Sequence, residues 1–492
     1  MTVDRRGRRW NTVPEILVAC AGQRPDVTVL TNAAGAGVTA SALLDRTRRG
    51  AAVLHDRGVR RGHFVAVDTT SLSWTEAAVA YFSIAWTGAV AVLTMGEDSE
   101  RIAIERIGAI VLISGAGRSA PGVAGVAVTD LGAAPATAET PAARPDDPLD
   151  IVFTSGTTGV PKPVASTHAQ WIGSVRPEIM TGRTRRVVAH TGIPIGVSGG
   201  LHGVLLNHLA RGVTSLATGS AAELVEACRT GHVDELHMTP HAARAFGRLT
   251  EAGEAWAGRV RIVRVVGGPV PDTVARQLAE RLPRARLVSL YGLTEGGAAL
   301  CVKLMDRAGA DSIGRPVRGT EVRVLDAEGR ELPPGQVGEL AVRSTGSEAL
   351  TYYQEESLTE AWFPGGWART GDLGVVDPDD GEIRLIGRVK ELIVLRGGRL
   401  RPEAVEEILS RRIPPSVEFA VAAVPTAGSW DRIAVFLGGS PDSPDIAAAR
   451  QGLADMTGPF RPHLVRVVPE IPLAPFGKPL RRLLAQQLLA EN

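Results

Sequence analysis

The chain has 492 residues, more than a single hydrophobic core usually supports, so we expect at least two domains. Its 54 basic and 53 acidic residues nearly cancel, which excludes a general electrostatic attraction to nucleic acid or to an anionic membrane. Cys20, Cys228 and Cys301 lie far apart and form no CxxC pair, which is typical of a reducing cytoplasm and argues against disulfides or a thiolate metal site.

We expect neither a secretion signal nor a membrane span. Residues 1–10 are rich in arginine, and residues 11–22 lack a clean apolar core. The long uncharged run at 77–95 contains polar and turn-forming residues. It therefore predicts a buried helix over 75–86 and a buried strand over 89–93 rather than a spanning helix. The expected location is cytoplasmic.

Helix-like and strand-like segments alternate across residues 11–150. An amphipathic helix is predicted over 40–55, and short strands over 62–67 and 109–113. Such alternation is typical of an α/β layer with parallel strands. Residues 132–148, rich in Ala, Pro, Thr and Asp, are predicted to form a linker.

Hydroxyl groups and glycines are concentrated in the stretch IVFTSGTTGVPK at residues 151–162. The apolar lead-in predicts the end of a buried strand. Glycines let the backbone direct its N–H groups at a guest, while the hydroxyls add donors and the lysine adds positive charge. We predict a polyphosphate-binding loop, unlike a Walker A loop because no Ser or Thr follows the lysine, with a polar surface turn as the alternative. Its candidate residues are Thr154, Ser155, Gly156, Thr157, Thr158, Gly159 and Lys162.

A second glycine-rich stretch, GVSGG at residues 196–200, matches the G-x-S-x-G nucleophile elbow of α/β-hydrolases, with Ser198 as the nucleophile. A strand is predicted before it and a helix over 201–209 after it, as that motif requires. No HGGG-type oxyanion motif is visible, and a short motif recurs by chance in a chain with 56 glycines. A tight turn that lets the helix pack close to the sheet is the alternative.

Six of the ten histidines lie between His190 and His241. His237 and His241 are four residues apart, but Pro240 between them interrupts a regular helix. No HExxH pattern accompanies them, so a protein metal site is not favoured. These histidines are expected to occupy ordinary surface or core positions, and the alternative is that one or two of them line a pocket.

Two further predicted strands each end in a glycine-containing loop. The strand over 260–266 leads into Gly267-Gly268-Pro269, and the strand over 286–290 leads into residues 291–297. In open α/β sheets a ligand lies outside the carboxyl ends of the strands, so these loops are candidates for a nucleotide site. From residue 311 short strands and turns predict an antiparallel β subdomain, and the C-terminal region resembles a small α+β domain.

Five motifs in this order resemble the adenylate-forming superfamily, which includes acyl-CoA synthetases, adenylation domains of peptide synthetases and luciferases. The motifs are Thr154–Lys162, Tyr291–Glu295, Thr370-Gly-Asp372, Gly387-Arg388 with Lys390, and Pro475-Phe-Gly-Lys478. The resemblance covers nearly the whole chain. It implies an α/β fold with a large N-terminal domain of parallel-type sheets and a small β subdomain over 1–389. A small, mobile α+β domain over 390–492 would rotate about a hinge at Lys390.

The resemblance also implies a reaction and a role for each motif. A carboxylate attacks the α-phosphate of ATP and expels pyrophosphate, so charge neutralisation and positioning are the main tasks. Lys478 would bridge the α-phosphate and the attacking carboxylate, Thr294 would lie near that phosphate, and Glu295 would bind Mg²⁺. The implied ATP-binding residues are the loop residues above with Gly267, Gly268, Pro269, Tyr291, Gly292, Asp372 and Arg388. The implied substrate pocket contains His190, Val197, Ser198, Gly296 and Gly297.

Two departures from the family pattern leave the acid undefined. Pro163 follows Lys162 where a glycine is usual, which removes one N–H donor from the loop. Pro194 is followed by Ile-Gly-Val-Ser, without the aromatic or histidine that many relatives carry in the pocket wall. The expected enzyme is an acid–thiol ligase that uses ATP, Mg²⁺ and CoA in specialised metabolism.

The acyl acceptor and the activated group remain open. The stretch Arg396-Gly-Gly398 resembles the glycine loop that pantetheine threads past in CoA ligases. No attachment segment for a fused carrier is evident, so a free-standing enzyme is expected, with CoA as the favoured acceptor. Loading of a separate carrier protein and activation of nitrite for diazotisation of an arylamine are the alternatives. The expected partners are a small acid and CoA or a phosphopantetheinyl carrier, without nucleic acid.

Overall fold

The computed structural model describes residues 10–136, 140–155, 161–174, 186–305, 312–344, 350–395, 398–414, 416–426, 430–458, 460–474 and 477–490. The helices are α1 Val13–Gln23, α2 Ala40–Asp56, α3 Trp74–Thr87, α4 Glu97–Arg101, α5 His168–Ser174, α6 Ser198–Gly200, α7 Asn207–Arg211, α8 Ala221–Thr230, α9 Pro240–Leu249, α10 Asp272–Arg281, α11 Glu356–Trp362, α12 Pro402–Leu409, α13 Pro444–Ala454 and α14 Arg481–Ala490.

The strands are β1 Thr28–Asn32, β2 Gly37–Thr39, β3 Phe64–Asp68, β4 Val90–Thr94, β5 Val111–Ser114, β6 Ala124–Ala127, β7 Pro148–Ser155, β8 Pro161–Thr167, β9 Val187–Thr191, β10 Thr214–Thr218, β11 Glu235–Met238, β12 Ile262–Val266, β13 Arg286–Leu293, β14 Ala298–Leu304, β15 Ser312–Pro316, β16 Thr320–Leu325, β17 Gly338–Ser344, β18 Thr351–Tyr352, β19 Ala368–Val376, β20 Ile383–Arg388, β21 Ile393–Leu395, β22 Gly398–Leu400, β23 Glu418–Pro425, β24 Asp431–Gly438 and β25 Leu464–Val468.

The chain divides into two compact units. The first comprises Met1–Ala308, Pro316–Val322 and Val342–Arg369, and the second comprises Gly309–Arg315, Arg323–Ala341 and Thr370–Asn492. The expected hinge residue Lys390 lies within the second unit. A boundary between residues 389 and 390 remains a prediction.

One sheet of the first unit has the strand order β18-β8-β7-β4-β3-β5-β6. Strands β7, β4, β3, β5 and β6 pair in parallel, and β8 pairs antiparallel with β7. The uncharged run that begins at residue 77 contributes helix α3 and strand β4 to this layer. A capping box of Ser73 and Glu76 begins α3, and Gly88 at φ 72° ends it. The described part of the chain contains no helix with the length and apolar character needed to cross a bilayer.

A second sheet of the first unit has the order β14-β13-β12-β11-β9-β10-β1-β2. Its central strands β13, β12, β11, β9, β10 and β1 pair in parallel. The α/β fold class with parallel-type sheets is thereby confirmed. Strand β13 extends to Leu293, beyond the expected end at residue 290, because β14 pairs with it and places Tyr291 opposite Cys301. Tyr291 and Gly292 therefore lie on a strand and not in the loop that follows it.

The helix after β9 begins at Ser198, three residues before its expected start. Helix α6, a π-helical turn at Leu201–Leu206 and α7 follow one another without a break. Two of the three glycines of the GVSGG stretch are required by close packing. A Cβ atom on Gly200 would lie 1.8 Å from the Pro194 carbonyl oxygen, and one on Gly196 would lie 2.3 Å from Thr69 Oγ1.

Antiparallel strands form much of the second unit. Strands β16, β17, β19, β20 and β15 lie side by side in that order, and β21 pairs with β22 as a short ribbon. A separate sheet has β24 between antiparallel β23 and parallel β25. Helices α12 and α14 pack on β23. This arrangement confirms the mixed α+β character expected for the C-terminal region.

Candidate active site

Glu295 is the centre of a polar cluster in the first unit. It lies in a single 3₁₀ turn, Thr294–Gly296, directly after β13. Its Oε1 atom accepts a hydrogen bond from the Tyr352 hydroxyl at 2.8 Å and one from Thr154 Oγ1 at 3.3 Å. The end of β13 and the strand that leads into the predicted phosphate loop therefore meet at this carboxylate.

The chemistry of Glu295 fits a divalent cation. Burial, followed by the charge of Glu295 and the hydrogen bond to it, raises the pKa of Tyr352, so this phenol stays protonated and donates. Both hydrogen bonds fall on Oε1, and no described residue donates to Oε2. A carboxylate oxygen without a protein donor is the kind of ligand that Mg²⁺ takes alongside substrate phosphates.

Lys162 lies beside the same cluster. It occupies β8 directly opposite Thr154 of β7. Its ammonium nitrogen lies 4.3 Å from the ring centroid of Trp362 and 5.3 Å from that of Tyr352. Tyr352 thus contacts the lysine through its ring and Glu295 through its hydroxyl. The structure brings an acidic and a basic site residue together around one tyrosine.

The tip of the predicted phosphate loop, Gly156, Thr157, Thr158 and Gly159, lies outside the described residues, as does the side chain of Ser155. Gly267 follows β12 with φ of 94°, a conformation that favours glycine. A Cβ atom on Gly268 would lie 3.5 Å from the ring of Pro240, in ordinary contact. Thus Gly267 to Pro269 leave the carboxyl end of β12, next to the strand that carries Tyr291 and Gly292.

Asp372 and Arg388 form a pair in the second unit. They lie opposite each other on β19 and β20. Arg388 Nε donates to Asp372 Oδ1 at 3.0 Å, and Asp372 is buried. Two motifs separated in the sequence thus become one ion pair, in which the arginine orients the carboxylate.

Lys478 also lies in the second unit. Its carbonyl accepts a hydrogen bond from the Ala474 N–H at 2.7 Å, and it lies shortly before α14. Its ammonium group donates to Glu391 Oε1 at 2.9 Å. Burial would raise the pKa of Glu391, but the charge of Lys478 and its hydrogen bond hold that pKa below its ordinary value. Glu391 directly follows the expected hinge residue Lys390.

A small recess opens beside the Glu295 cluster in the first unit. Thr294 and Gly297, both predicted site residues, lie on its wall, and Trp171, which is only 4% exposed, helps to close it. Val197 and Gly296, which were also predicted to belong to the substrate pocket, are buried but do not line this recess. The lining residues are Val152, Val164, Ser166, Gln170, Trp171, Ser174, His202, Thr294, Gly297 and Leu350.

His190 occupies a different environment from these lining residues. It is fully buried, with Nε2 at 3.1 Å from Ser215 Oγ and its ring edge-on to Trp74. Ser215 Oγ also lies 3.0 Å from His208, whose other ring nitrogen lies 3.4 Å from His237. Burial lowers the pKa of His190 to about 3 and that of His237 to about 4, so the chain of imidazoles is neutral.

An ion-pair cluster adjoins these histidines. Glu235, on β11, accepts hydrogen bonds from Arg186, Arg211 and Arg264. Arg264 also lies 3.0 Å from His237. Throughout the described ranges, no set of three or more His, Cys, Asp or Glu side chains is arranged to hold a metal ion. The histidine-rich stretch therefore contributes a hydrogen-bonded core to the sheet.

Sequence reasoning missed several residues that contact the predicted site. Tyr352 and Trp362 approach Lys162 and Glu295 from a strand and a helix remote in the sequence. Sequence reasoning also did not select Glu391, which directly follows the expected hinge residue Lys390. The Tyr-Tyr pair at 352–353 carries no motif, so only the fold identifies the tyrosine that contacts Glu295.

Comparison with known proteins identifies the family of this chain. The family described as AMP-binding enzyme matches residues 17–353, more than half of the chain. The chain therefore belongs to the AMP-binding enzyme family, which confirms its resemblance to the adenylate-forming superfamily. ATP use and a ligase of the AMP-forming class follow from this membership.

Two curated relatives and one solved structure illustrate the range of the family. The fatty acid–[acyl-carrier-protein] ligase ScoC of Streptomyces coeruleorubidus is 28% identical over 363 residues, covering 71% of this chain and 69% of the relative. The sulfoacetate–CoA ligase of Cupriavidus necator is 32% identical over 349 residues, covering 69% and 67%. ATP-bound MatB from Rhodopseudomonas palustris shares the fold with a TM-score of 0.79 and 22% identity, covering 96% of this chain and 98% of that chain.

Proposed function

We propose that the protein joins a small carboxylic acid to AMP at the expense of ATP and then transfers the acyl group to the thiol of CoA. One observation carries the proposal: Tyr352 contacts both Lys162 and Glu295, and Glu295 also accepts a hydrogen bond from Thr154, so that the strand into the phosphate loop and the turn after β13 form one site. A lysine and a carboxylate placed together suit a magnesium–polyphosphate complex, which carries both signs of charge.

In the first half-reaction a carboxylate oxygen attacks the α-phosphorus of ATP, and the bond to pyrophosphate breaks. Lys162 and the hydroxyl-rich loop hold the departing phosphates. Glu295 would hold Mg²⁺, which offsets the charge of the leaving group when bound. Tyr352 keeps the Glu295 carboxylate oriented by donating to one of its oxygens. Thr294, which lies on the wall of the recess, would contact the acid or the α-phosphate.

The second unit would supply the remaining contacts to the nucleotide. Asp372, oriented by Arg388, presents acceptor oxygens that suit the ribose hydroxyl groups. Lys478 would neutralise the α-phosphate and the attacking carboxylate. Its ion pair with Glu391, at 2.9 Å, engages one of its three donors and offsets its charge, so Glu391 would compete with the phosphate and the carboxylate for this ammonium group.

The recess supports a small acid. Among the described residues its apolar wall includes Val152, Val164 and Trp171, all almost completely buried, and this compact lining favours a small acid over a long alkyl chain. The relative named sulfoacetate–CoA ligase is consistent with a small acid and a CoA acceptor. The relative named as an acyl-carrier-protein ligase favours a second candidate, in which the acceptor is the phosphopantetheine thiol of a separate carrier.

Pyrophosphate release tests the first half-reaction. The full chain is incubated with ATP, Mg²⁺ and a panel of short-chain, aromatic and long-chain acids, and the adenylate is detected by mass spectrometry. Release with a small acid is expected. Release with no acid, but with nitrite in the presence of an arylamine, would overturn the carboxylate assignment.

Two further measurements separate the acceptors and test the lysine. Addition of CoA should yield a thioester, whereas a thioester formed only with a holo-carrier protein would favour the second candidate. Lys478→Ala should reduce adenylate formation by about 100-fold or more while ATP still binds. Arg482→Ala, which removes a neighbouring exposed positive charge at the start of α14, is the matched control and should retain activity.

A further inference from the structure

Ser198, His202 and Asp150 form a continuous chain of hydrogen-bonding contacts in the first unit. Ser198 Oγ lies 3.2 Å from His202 Nδ1, and His202 Nε2 lies 2.9 Å from Asp150 Oδ2. The serine and the histidine are one helical turn apart, whereas the aspartate comes from β7, 52 residues away from His202. A hydroxyl, an imidazole and a carboxylate are thus aligned in the order found in serine hydrolases.

The surroundings of Asp150 fix the proton positions along this chain. Tyr81 donates its hydroxyl to Oδ2 at 2.8 Å and Ser166 donates to Oδ1 at 2.6 Å. Burial would raise the pKa of Asp150, but His202 and these two hydroxyls hold that pKa below its ordinary value, so the carboxylate is ionised. An ionised carboxylate only accepts, so His202 Nε2 carries a hydrogen. In its neutral form the imidazole accepts the Ser198 hydroxyl hydrogen at Nδ1.

The three groups differ in exposure as a nucleophile, a base and an orienting acid require. Ser198 is partly exposed, the His202 side chain is 10% exposed, and the Asp150 side chain is 0% exposed. A reactant can therefore reach Ser198. The carboxylate is shielded from water, so water does not compete with it for the hydrogen bond to the imidazole. Here Nδ1 faces the serine and Nε2 faces the carboxylate, the reverse of the arrangement in serine proteases. Either nitrogen of an imidazole can donate or accept a hydrogen bond, so the exchange does not alter what His202 can do.

Ser198 also has oxyanion-binding groups beside it. It is the first residue of a helix, and the N–H groups of Ser198 and Gly199 belong to its first turn, where no helical carbonyl reaches them. The following N–H groups, of Gly200 and Leu201, both donate to the Val197 carbonyl. An ester carbonyl beside Ser198 would thus meet two backbone donors at the positive end of a continuous helix.

We propose that Ser198, His202 and Asp150 form a second catalytic centre that hydrolyses activated esters of small carboxylic acids. The Ser198 hydroxyl gives its proton to His202 Nδ1 as the bond from Oγ to the ester carbonyl carbon forms. The bond to the alcohol breaks, and the departing oxygen takes the proton from His202. Water then attacks the acyl-serine, its proton passes through His202 to Oγ, and the acid leaves. This activity does not depend on the proposed adenylation.

His202 lines the recess described above, which would receive the acyl group next to the base, while Ser198 contacts His202 from one helical turn away and is not itself a lining residue. The apolar part of that wall comes from Val152, Val164 and Trp171. The competing explanation is a purely structural role, in which the Ser198 hydroxyl only provides a hydrogen-bond partner for His202 within the same helix. The two explanations predict different reactivity at Ser198. A serine becomes unusually nucleophilic only when a base is oriented to take its proton, and a purely structural hydrogen bond does not provide such a base.

A fluorophosphonate probe, which forms a covalent bond with activated serines, distinguishes the two explanations. The full chain is labelled and digested, and the modified peptide is identified by mass spectrometry. We expect an adduct on Ser198 and none on Ser215, a matched control that also contacts histidine rings but is 1% exposed. Absence of an adduct on Ser198, under conditions that label a known serine hydrolase, would refute the proposal.

Hydrolysis of p-nitrophenyl acetate and butyrate gives an independent measurement. Ser198→Ala should lower kcat/KM by about 100-fold or more, and His202→Gln should do the same because it removes the base. Asp150→Asn tests the orienting carboxylate, and circular dichroism verifies that each variant is folded. Equal hydrolysis by the unmodified chain and folded Ser198→Ala would sink the assignment, even if adenylation is fully active.

Discussion

Lowering the pH from 7 to 5 should weaken the first unit through His168, a residue of α5 that holds the start of α1. His168 Nδ1 accepts a hydrogen bond from the Val13 backbone N–H at 3.1 Å. Its Nε2 is buried and has no hydrogen-bond partner among the described residues. Protonation would place a hydrogen on Nδ1, so the bond to Val13 would be lost and a charge would remain in an apolar site.

The magnitude follows from the pKa. Burial lowers the pKa of His168 from 6.5 to about 4, against smaller opposing effects of Asp150 and Asp147. The unfolded chain therefore binds the proton more readily than the folded chain. The stabilisation is complete above pH 6.5 and is lost as the pH falls towards 4. Between pH 7 and pH 5 the difference in proton binding amounts to about 2 kcal/mol from this one residue.

Urea unfolding followed by circular dichroism at pH 7 and pH 5 measures this loss. In His168→Gln the amide oxygen can still accept from Val13, but no titrating group remains. We expect the fall in unfolding free energy between the two pH values to be about 2 kcal/mol smaller in the variant. His463→Gln is the control for the substitution itself, because the exposed His463 also accepts a backbone N–H, from Ile433 at 3.1 Å. An equal fall in the unmodified chain and in His168→Gln would refute the reasoning.

Four further substitutions test packing and the site. Gly200→Ala should destabilise the protein by about 2 kcal/mol, seen as a lower Tm, because its Cβ would lie 1.8 Å from a backbone oxygen. Gly203→Ala, in the same helix with nothing within 4 Å of its Cβ, should be neutral or slightly stabilising, and equal losses in both variants would contradict the packing argument. Glu295→Gln should lower adenylate formation by about 100-fold at saturating Mg²⁺, since it removes the carboxylate charge. Tyr352→Phe should lower it by less than about tenfold, because it removes only one hydrogen bond to that carboxylate; a larger loss than in Glu295→Gln would contradict the assigned roles.

The sequence supplied the elements of the fold where local chemistry decides the structure. The β-branched run before Gly267 predicts β12, and the period of apolar residues predicts α2 almost to its ends. It missed the extension of β13, because that extension depends on pairing with β14 and not on the residues of β13 themselves. The π-helical turn at Leu201–Leu206 likewise carries no local signal in the pattern of residues.

The residues of the candidate site also divide into those that the sequence could predict and those that it could not. Short motifs identified Glu295 and Lys162, because each contains the charged residue and the glycines that its chemistry needs. The partners of these residues could not be predicted, since Tyr352 and Trp362 contact them across the fold from segments without a motif. Ser198 was visible in GVSGG, but its contacts with His202 and, through it, Asp150 are set by the packing of a helix against a strand.

The indole of Trp362, which carries the Lys162 ammonium group on its face, can act as an optical reporter. A cation near an indole ring perturbs the emission of that ring, and the contact at 4.3 Å is worth about 1 kcal/mol, small enough for a polyphosphate to displace. Nucleotide binding should therefore change the fluorescence of this side chain. The chain has eight tryptophans, so the signal is isolated as the difference between the unmodified protein and Trp362→Phe. The aromatic patch around Lys162 thus allows occupancy of the proposed phosphate site to be followed in real time without a label.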